Sequence, residues 1–292
     1  MSYTAHSETG KIKFIVLKPV QHAFINDFHI EEDWKSLNYL GKPDFSTAVI
    51  EYEEFRALLK LSGTECFLLP QDDSVNMDSV YCRDASIATN RGMIICNMGK
   101  AGRKNEPMAV KKAFEKNGIS VLAVISPPAT LEGGDVAWLD ENLLAAGHSY
   151  RTNEEGIRQL TSIMKPLDVE VITVALPHYK GPTDVFHLMS VLSPVDKDLA
   201  VVYSPLLPIK FRNLLLDRGY RLIEVPDREF ETMGCNVLAL SPRECLMTDG
   251  NPHTKSELER AGCKVTVYRG EEISVKGGGG PTCLTRPIYR YK

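Results

Sequence analysis

Gly277-Gly-Gly-Gly-Pro-Thr-Cys283-Leu-Thr-Arg-Pro-Ile-Tyr-Arg-Tyr-Lys292 reads as the start of a structural unit whose other elements do not follow it. Upstream the whole unit is visible, four times over. Hydrophobic periodicity predicts strands over 79–88 and 93–96, a helix over 106–117 and a strand over 121–125. The same ββαβ order returns at 135–139, 143–146, 154–164 and 170–174, and again at 187–192, 199–203, 209–218 and 221–225. A fourth copy runs 235–240, 244–248, 254–261 and 264–268. Gly118, Gly219 and Gly262 each stand just after a helical stretch, where a left-handed cap favours glycine. The first strands start near 79, 135, 187, 235 and 283, a period of about 50 residues of the kind that marks propellers and arrays. The fifth copy lacks a second strand, a helix and a third strand, and the N-terminal stretches 13–17, 49–61 and 65–69 have the right character to supply them. The expected architecture is therefore one α/β domain over 1–292, with five radial units around an axis and the two chain ends sharing a unit. Radial closure leaves no long unpaired sheet edge. The alternative is an open α/β sheet of two halves.

Composition narrows the function classes. The 34 Lys+Arg against 38 Asp+Glu give a formal net charge of -4 without a long basic run, so nothing favours nucleic acid. With 43% hydrophobic and 25% charged residues the chain has an ordinary globular balance. Seven cysteines without a C-x-x-C pair point to reduced thiols in a cytoplasmic protein, and away from zinc ribbons or a disulfide framework. The first apolar stretch, Phe14-Ile15-Val16-Leu17, stops at Lys18-Pro19, too short for a signal sequence, and no stretch is long enough for a membrane span.

In a closed radial array the starts of the first strands face one another. Those positions carry Asp78 and Asp84, Glu132 with Asp135, His187, Asn236 and Cys283. A thiol, an imidazole and several carboxylates brought together from distant sequence make a nucleophile with a base and a cation-binding rim. Singly, each has a plainer reading: Cys283 as a small buried hydrophobe, His187 as a core histidine, Asp84 as an ion-pair partner of Arg83, Glu132 as a turn residue. Their common phase in the repeat favours chemistry. The four glycines before Cys283 are expected to let backbone approach a ligand.

The ordered set Asp78-Ser-Val-Tyr-Cys-Arg-Asp84, Gly102-Arg103-Lys-Asn-Glu106, Ala129-Thr-Leu-Glu132-Gly-Gly-Asp135, Gly147-His-Ser-Tyr-Arg151, His187-Leu-Met-Ser190 and Gly277 through Pro287 resembles the guanidine-modifying enzymes of the pentein fold. The resemblance is strongest to the dimethylarginine dimethylaminohydrolases and covers nearly the whole chain. It implies a pseudo-fivefold β/α propeller, Cys283 as nucleophile, His187 as general acid and then base, and Glu132 as the carboxylate that orients the site. It further implies that Asp78 and Asp84 surround the guanidinium and that Arg103 and Arg151 hold the substrate carboxylate. No metal and no cofactor are implied. The partner would be a small guanidino compound, a methylated arginine or something arginine-like, with neither nucleic acid nor membrane, and a homodimer is one arrangement.

The reaction implied is hydrolysis of N,N-dimethylarginine to citrulline and dimethylamine through a covalent thiouronium on Cys283. Arginine deimination or amidino transfer is the alternative within the family, and a non-catalytic binding protein of the same fold the alternative outside it. Met189 stands where deiminases and amidinotransferases carry a guanidinium-clamping Asp, which favours an alkylated substrate, while Arg83-Asp84 resembles the deiminase pattern. Cys235 opens the neighbouring repeat as a conceivable resolving thiol. The segment 19–48, with Phe24, Phe28, Trp34, Tyr39 and Phe45, is expected to form a lid over the axis.

Overall fold

A computed structural model of the chain describes residues 2–184 and 186–292. It contains five separate small sheets. The second unit shows the plan: strand Val136–Asp140 pairs antiparallel with Leu143–His148, which pairs parallel with Glu170–Ala175. A parallel pair needs a crossover, and helix Glu154–Met164 provides it. That helix buries Gly156, Ile157, Leu160 and Met164 along one stripe, and the Asn153 side chain caps it by accepting from Gly156 N. Gly118, Gly219 and Gly262 take φ of 70°, 84° and 85°, as left-handed caps require.

The fifth sheet draws on both chain ends. Strand Thr285–Tyr291 lies between Tyr3–Thr4 and Ile12–Leu17, antiparallel to both, and Ile12–Leu17 pairs parallel with Glu65–Leu68. Helix Phe45–Leu61 makes the crossover, beginning four residues before its expected start because Asp44 caps it at Thr47 N. The chain is thus an α/β propeller of five pseudo-symmetric units.

One sequence expectation fails in the same way in four units. The first strands do not begin at 79, 187, 235 and 283; they are Ser86–Thr89, Leu192–Asp196, Leu238–Ser241 and Thr285–Tyr291. Before each strand the chain makes a turn closed by an i to i+3 hydrogen bond. The donors and acceptors are Tyr81 N to Asp78 O, Asp135 N to Glu132 O, Ser190 N to His187 O, Asn236 N to Met233 O, and Thr285 N to Thr282 O. A strand would send alternate side chains to opposite faces, whereas a tight turn gathers neighbouring ones at the strand's mouth. A short, fully buried apolar run gives no periodicity by which to tell the two apart.

Hydrophobic clusters fill the space between each sheet and its helix. The interior of the ring is polar: Arg83, Glu132 and Asp135 are fully buried, and Asp84, Arg286 and Arg290 nearly so. No helix among the described residues is long and apolar enough to cross a membrane.

Candidate active site

Three turns converge on one polar cluster. The turn before Val136–Asp140 supplies Glu132, the turn before Leu192–Asp196 supplies His187, and the turn before Thr285–Tyr291 supplies Cys283. His187 Nε2 lies 2.7 Å from Glu132 Oε2. The other Glu132 oxygen accepts from Lys100 N at 2.9 Å and has Arg151 Nη1 at 3.8 Å. Asp135 fixes the histidine turn, accepting from Leu188 N at 3.0 Å and from Ser149 Oγ at 2.6 Å. Gly134 allows the approach, since a Cβ there would stand 2.6 Å from both Asp84 Oδ1 and His187 Nδ1.

Cys283 Sγ receives Asn236 Nδ2 at 3.4 Å, and the Asn236 carbonyl oxygen is fixed in turn by Thr282 N at 3.0 Å and Thr282 Oγ1 at 2.8 Å. Gly280 packs against Asn236, and Gly277 and Gly279 against Tyr81. The glycine run thus brings backbone close to protein side chains more than to open space, while Gly277 and Gly278 line a cleft of about 110 Å³ that reaches Asn236, the partner of the thiol, but not Cys283 itself. Asn38, Phe186 and Asn236 also border that cleft.

Electrostatics sets the protonation. Burial disfavours the Glu132 carboxylate, yet the His187 hydrogen bond, the His187 charge and Arg151 hold it down to about 2. Burial disfavours the imidazolium, yet Asp84, Asp135 and Glu132 raise His187 to about 9. Burial pushes the Cys283 thiol up and the Asp84 carboxylate adds to it, against the Asn236 and Thr282 hydrogen bonds. At neutral pH the resting site holds a thiol, an imidazolium and a carboxylate. Asp84, Glu132 and His187 also place donor atoms within 4.8 Å of one another, a spacing a cation could use, but the proton shared by His187 and Glu132 makes them an acid–base pair first.

Asp84 Oδ1 is buried and has no hydrogen-bond partner among the described residues, while Oδ2 takes Arg103 Nη1 at 2.6 Å. Asp78 takes Lys100 Nζ at 2.6 Å. Arg103 is heavily engaged within the protein. It holds Glu106 through Nε and Nη2 at 2.8 Å each, the Tyr81 carbonyl through Nη2 at 2.9 Å and Asp84 through Nη1, four of the five guanidinium N–H groups. It therefore orients Asp84, with one guanidinium N–H left unengaged. Arg151 is different: its Nη2 donates to Asp184 O at 2.9 Å, and its buried Nε has no partner among the described residues.

Three other residues singled out in the sequence have plainer surroundings. Arg83 turns away from the thiol to Glu8, its Nη2 2.8 Å from Glu8 Oε1, so it is no rim residue of this site. Met189 is buried in a hydrophobic cluster with Leu188 and Val191. The Cys235 thiol is pushed up by burial and points its hydrogen at Val201 O, which makes it an inert core group. Lys100 was invisible to sequence reasoning, because it follows a second strand at no fixed phase of the repeat; Asn236 was marked by phase, and its bond to sulfur gives the position a role.

A family model described as N,N dimethylarginine dimethylhydrolase, eukaryotic, matches residues 26–290. The chain belongs to this family of guanidine-modifying penteins. It is 26% identical over 253 residues to the N(G),N(G)-dimethylarginine dimethylaminohydrolase of Pseudomonas aeruginosa, covering 87% of this chain and 93% of that one. An arginine deiminase of Listeria welshimeri is 25% identical, covering 72% of this chain and 61% of the deiminase. The solved Pseudomonas aeruginosa structure, a serine mutant complexed with citrulline, superposes with a TM-score of 0.77 at 23% identity, over 96% of this chain and 99% of the other. Family membership makes the chain a hydrolase acting on guanidino C–N bonds.

Proposed function

We propose that the chain hydrolyses N,N-dimethylarginine to citrulline and dimethylamine, with Cys283 as nucleophile, His187 as acid and base, and Glu132 as the orienting carboxylate. The carrying observation is Asp84 Oδ1, a buried carboxylate oxygen with no partner among the described residues, beside His187 and electrostatically coupled to Cys283. A guanidinium N–H is the donor it suits.

Guanidinium is a weak electrophile, so the attacking sulfur must be a thiolate. The substrate cation lowers the thiol pKa on arrival, offsetting Asp84. The sulfur bonds to the guanidino carbon, His187 gives its proton to the departing dimethylamine, and the C–N bond breaks, leaving an S-alkylthiouronium on Cys283. Neutral His187 then takes a proton from water, the hydroxide adds to the same carbon, and the C–S bond breaks to return the thiolate, with the remaining proton released as the ureido product forms. Arg151, with its free Nε, is the candidate for the substrate carboxylate.

The site is shut. Cys283 is 8% exposed, His187 2% and Glu132 0%. Segment 19–48 crosses it, with Leu40 N donating to Lys276 O at 2.7 Å, Lys100 Nζ to Leu37 O at 2.8 Å and Asn38 Nδ2 to Thr183 O at 3.3 Å. These ties and the burial of the three groups support the reading of the strap as a lid that lifts for substrate entry.

The choice of dimethylarginine rests on the family model, described as N,N dimethylarginine dimethylhydrolase. A citrulline assay with dimethylarginine and arginine side by side tests it. Citrulline with dimethylamine is expected; citrulline with ammonia from arginine would make the chain a deiminase, and silence with both would direct the search to other guanidino compounds and amine acceptors.

A further inference from the structure

The end of the ring away from the thiol holds a second charged cluster that the reaction does not use. Cys283 stands before the strand Thr285–Tyr291, whereas Arg290 stands near its far end, so the two mark opposite mouths of the ring. Arg83 and Arg290 are 0% and 1% exposed, and Arg286 is 4% exposed. One carboxylate, Glu8, answers all three. Asp84, the next acid, is bound by Arg103.

Backbone carbonyls occupy part of these guanidinium groups. Arg286 donates through Nη2 to Arg83 O at 2.7 Å, and Arg290 through Nη1 to Gly10 O at 2.6 Å and Ala239 O at 2.8 Å. Carbonyl oxygens are dipoles and cancel no net charge. Two donors on each of two arginines have no acceptor among the described residues: Nε and Nη1 of Arg83, and Nε and Nη2 of Arg290. The Nε and Nη2 hydrogens of Arg290 form the parallel edge by which guanidinium grips an anion. Burial and the neighbouring positive charge lower Arg286 to about 10, and burial lowers Arg290 to about 10, so both stay charged at neutral pH. Three buried cations facing one carboxylate leave a charge that protein interiors do not tolerate unpaired.

We propose that Arg83 and Arg290, with Glu8 on the rim, form a binding site for a small monovalent anion, chloride being the biological member of that class. Near-complete burial selects a monatomic or small planar ion over a sugar acid. A cleft of about 470 Å³ reaches Glu8, the partner of Arg83, and Gly10, whose carbonyl takes Arg290, so an ion entering there would have to pass Glu8 to meet the arginines behind it. The anion stabilises the native ring because the unfolded chain has no such cluster, so stability should rise with its concentration.

The test compares thermal unfolding of the full chain in sodium chloride, bromide and nitrate with sodium gluconate at constant ionic strength, together with anomalous scattering from crystals grown in bromide. The proposal expects a Tm that climbs by several degrees with halide and then saturates, and a bromide peak within hydrogen-bond distance of Arg83 and Arg290. Arg290→Met should lose the halide response. Superimposable curves in all four salts, bromide confined to the outer surface, or a halide response unchanged in Arg290→Met would overturn it. If Arg290→Met fails to fold, the bromide map of the unmodified protein decides: water alone in the cluster sinks the idea.

Discussion

The two mouths of the ring are built from the same five strands and carry opposite charge. At one, Asp84, Glu132 and Asp135 crowd around a thiol and an imidazolium; at the other, Arg83, Arg286 and Arg290 share Glu8. The first mouth suits a cation that reacts, the second an anion that only stays. The difference shows that pseudo-symmetry places side chains without dictating their chemistry. Turns before the strands supply Glu132, His187 and Cys283 to one mouth, whereas a single strand supplies Arg286 and Arg290 to the other cluster. Arg83 and Asp84 make the point, being adjacent in sequence yet serving opposite ends.

The harshest way to break the comparison is at the thiol. Cys283→Ser should cut turnover by about 10⁴-fold or more while leaving thermal unfolding almost unchanged, since the volumes match. An active serine variant would remove the nucleophile from the reactive mouth. Asp84→Asn should lower kcat/KM by about 100-fold, because one buried charge-assisted hydrogen bond is lost to the guanidinium; steady-state kinetics on the folded variant checks it, and an unchanged value would detach Asp84 Oδ1 from the substrate.

The pH dependence sharpens the picture further. The His187 pKa is raised to about 9, so its pairing contributes stability fully below its ordinary 6.5 and loses it as pH rises through about 9. The Glu132 pKa is lowered to about 2, so its contribution is present above its ordinary 4.5 and lost as pH falls toward about 2. Unfolding measured from pH 5 to 10 should show an alkaline loss of a few kcal/mol that Glu132→Gln diminishes, and kcat/KM should fall on an alkaline limb that the same variant moves to lower pH. A limb that stays in place would mean that Glu132 does not set the imidazole.

The smallest effect belongs to the strap. Lys100→Met removes the tie to Leu37 O, and limited proteolysis within 19–48 should quicken severalfold, with a substrate analogue restoring protection in the unmodified protein. Identical cutting with and without analogue would leave the strap as fixed packing.

Much of this was legible without coordinates. Period and element order gave five units and the sharing of the last between chain ends, because helices and half-buried strands announce themselves by spacing. The members of the reactive cluster were legible through their common phase. Their local geometry was not, because a buried turn and a buried strand start share a composition. The contacts of Arg103 were hidden for a different reason: Asp84 and Glu106 are visible in sequence, but only distances show that both bind it. Arg83 was read as a neighbour of Asp84 because adjacency in sequence says nothing about which mouth a side chain enters. Met189 follows the same lesson, two residues from His187 and packed in apolar core.

The strand behind Cys283 is registered on Ile12–Leu17, Thr285 against Leu17, so the last stretch of chain pairs with one of the first. Pairings between such distant residues carry the largest loop-closure cost. The proposed nucleophile, Cys283, therefore joins Glu132 and His187 only when the ring shuts. A chain arrested short of closure carries Glu132 and His187 but no assembled reactive thiol, so catalytic competence serves as a read-out of topological completion.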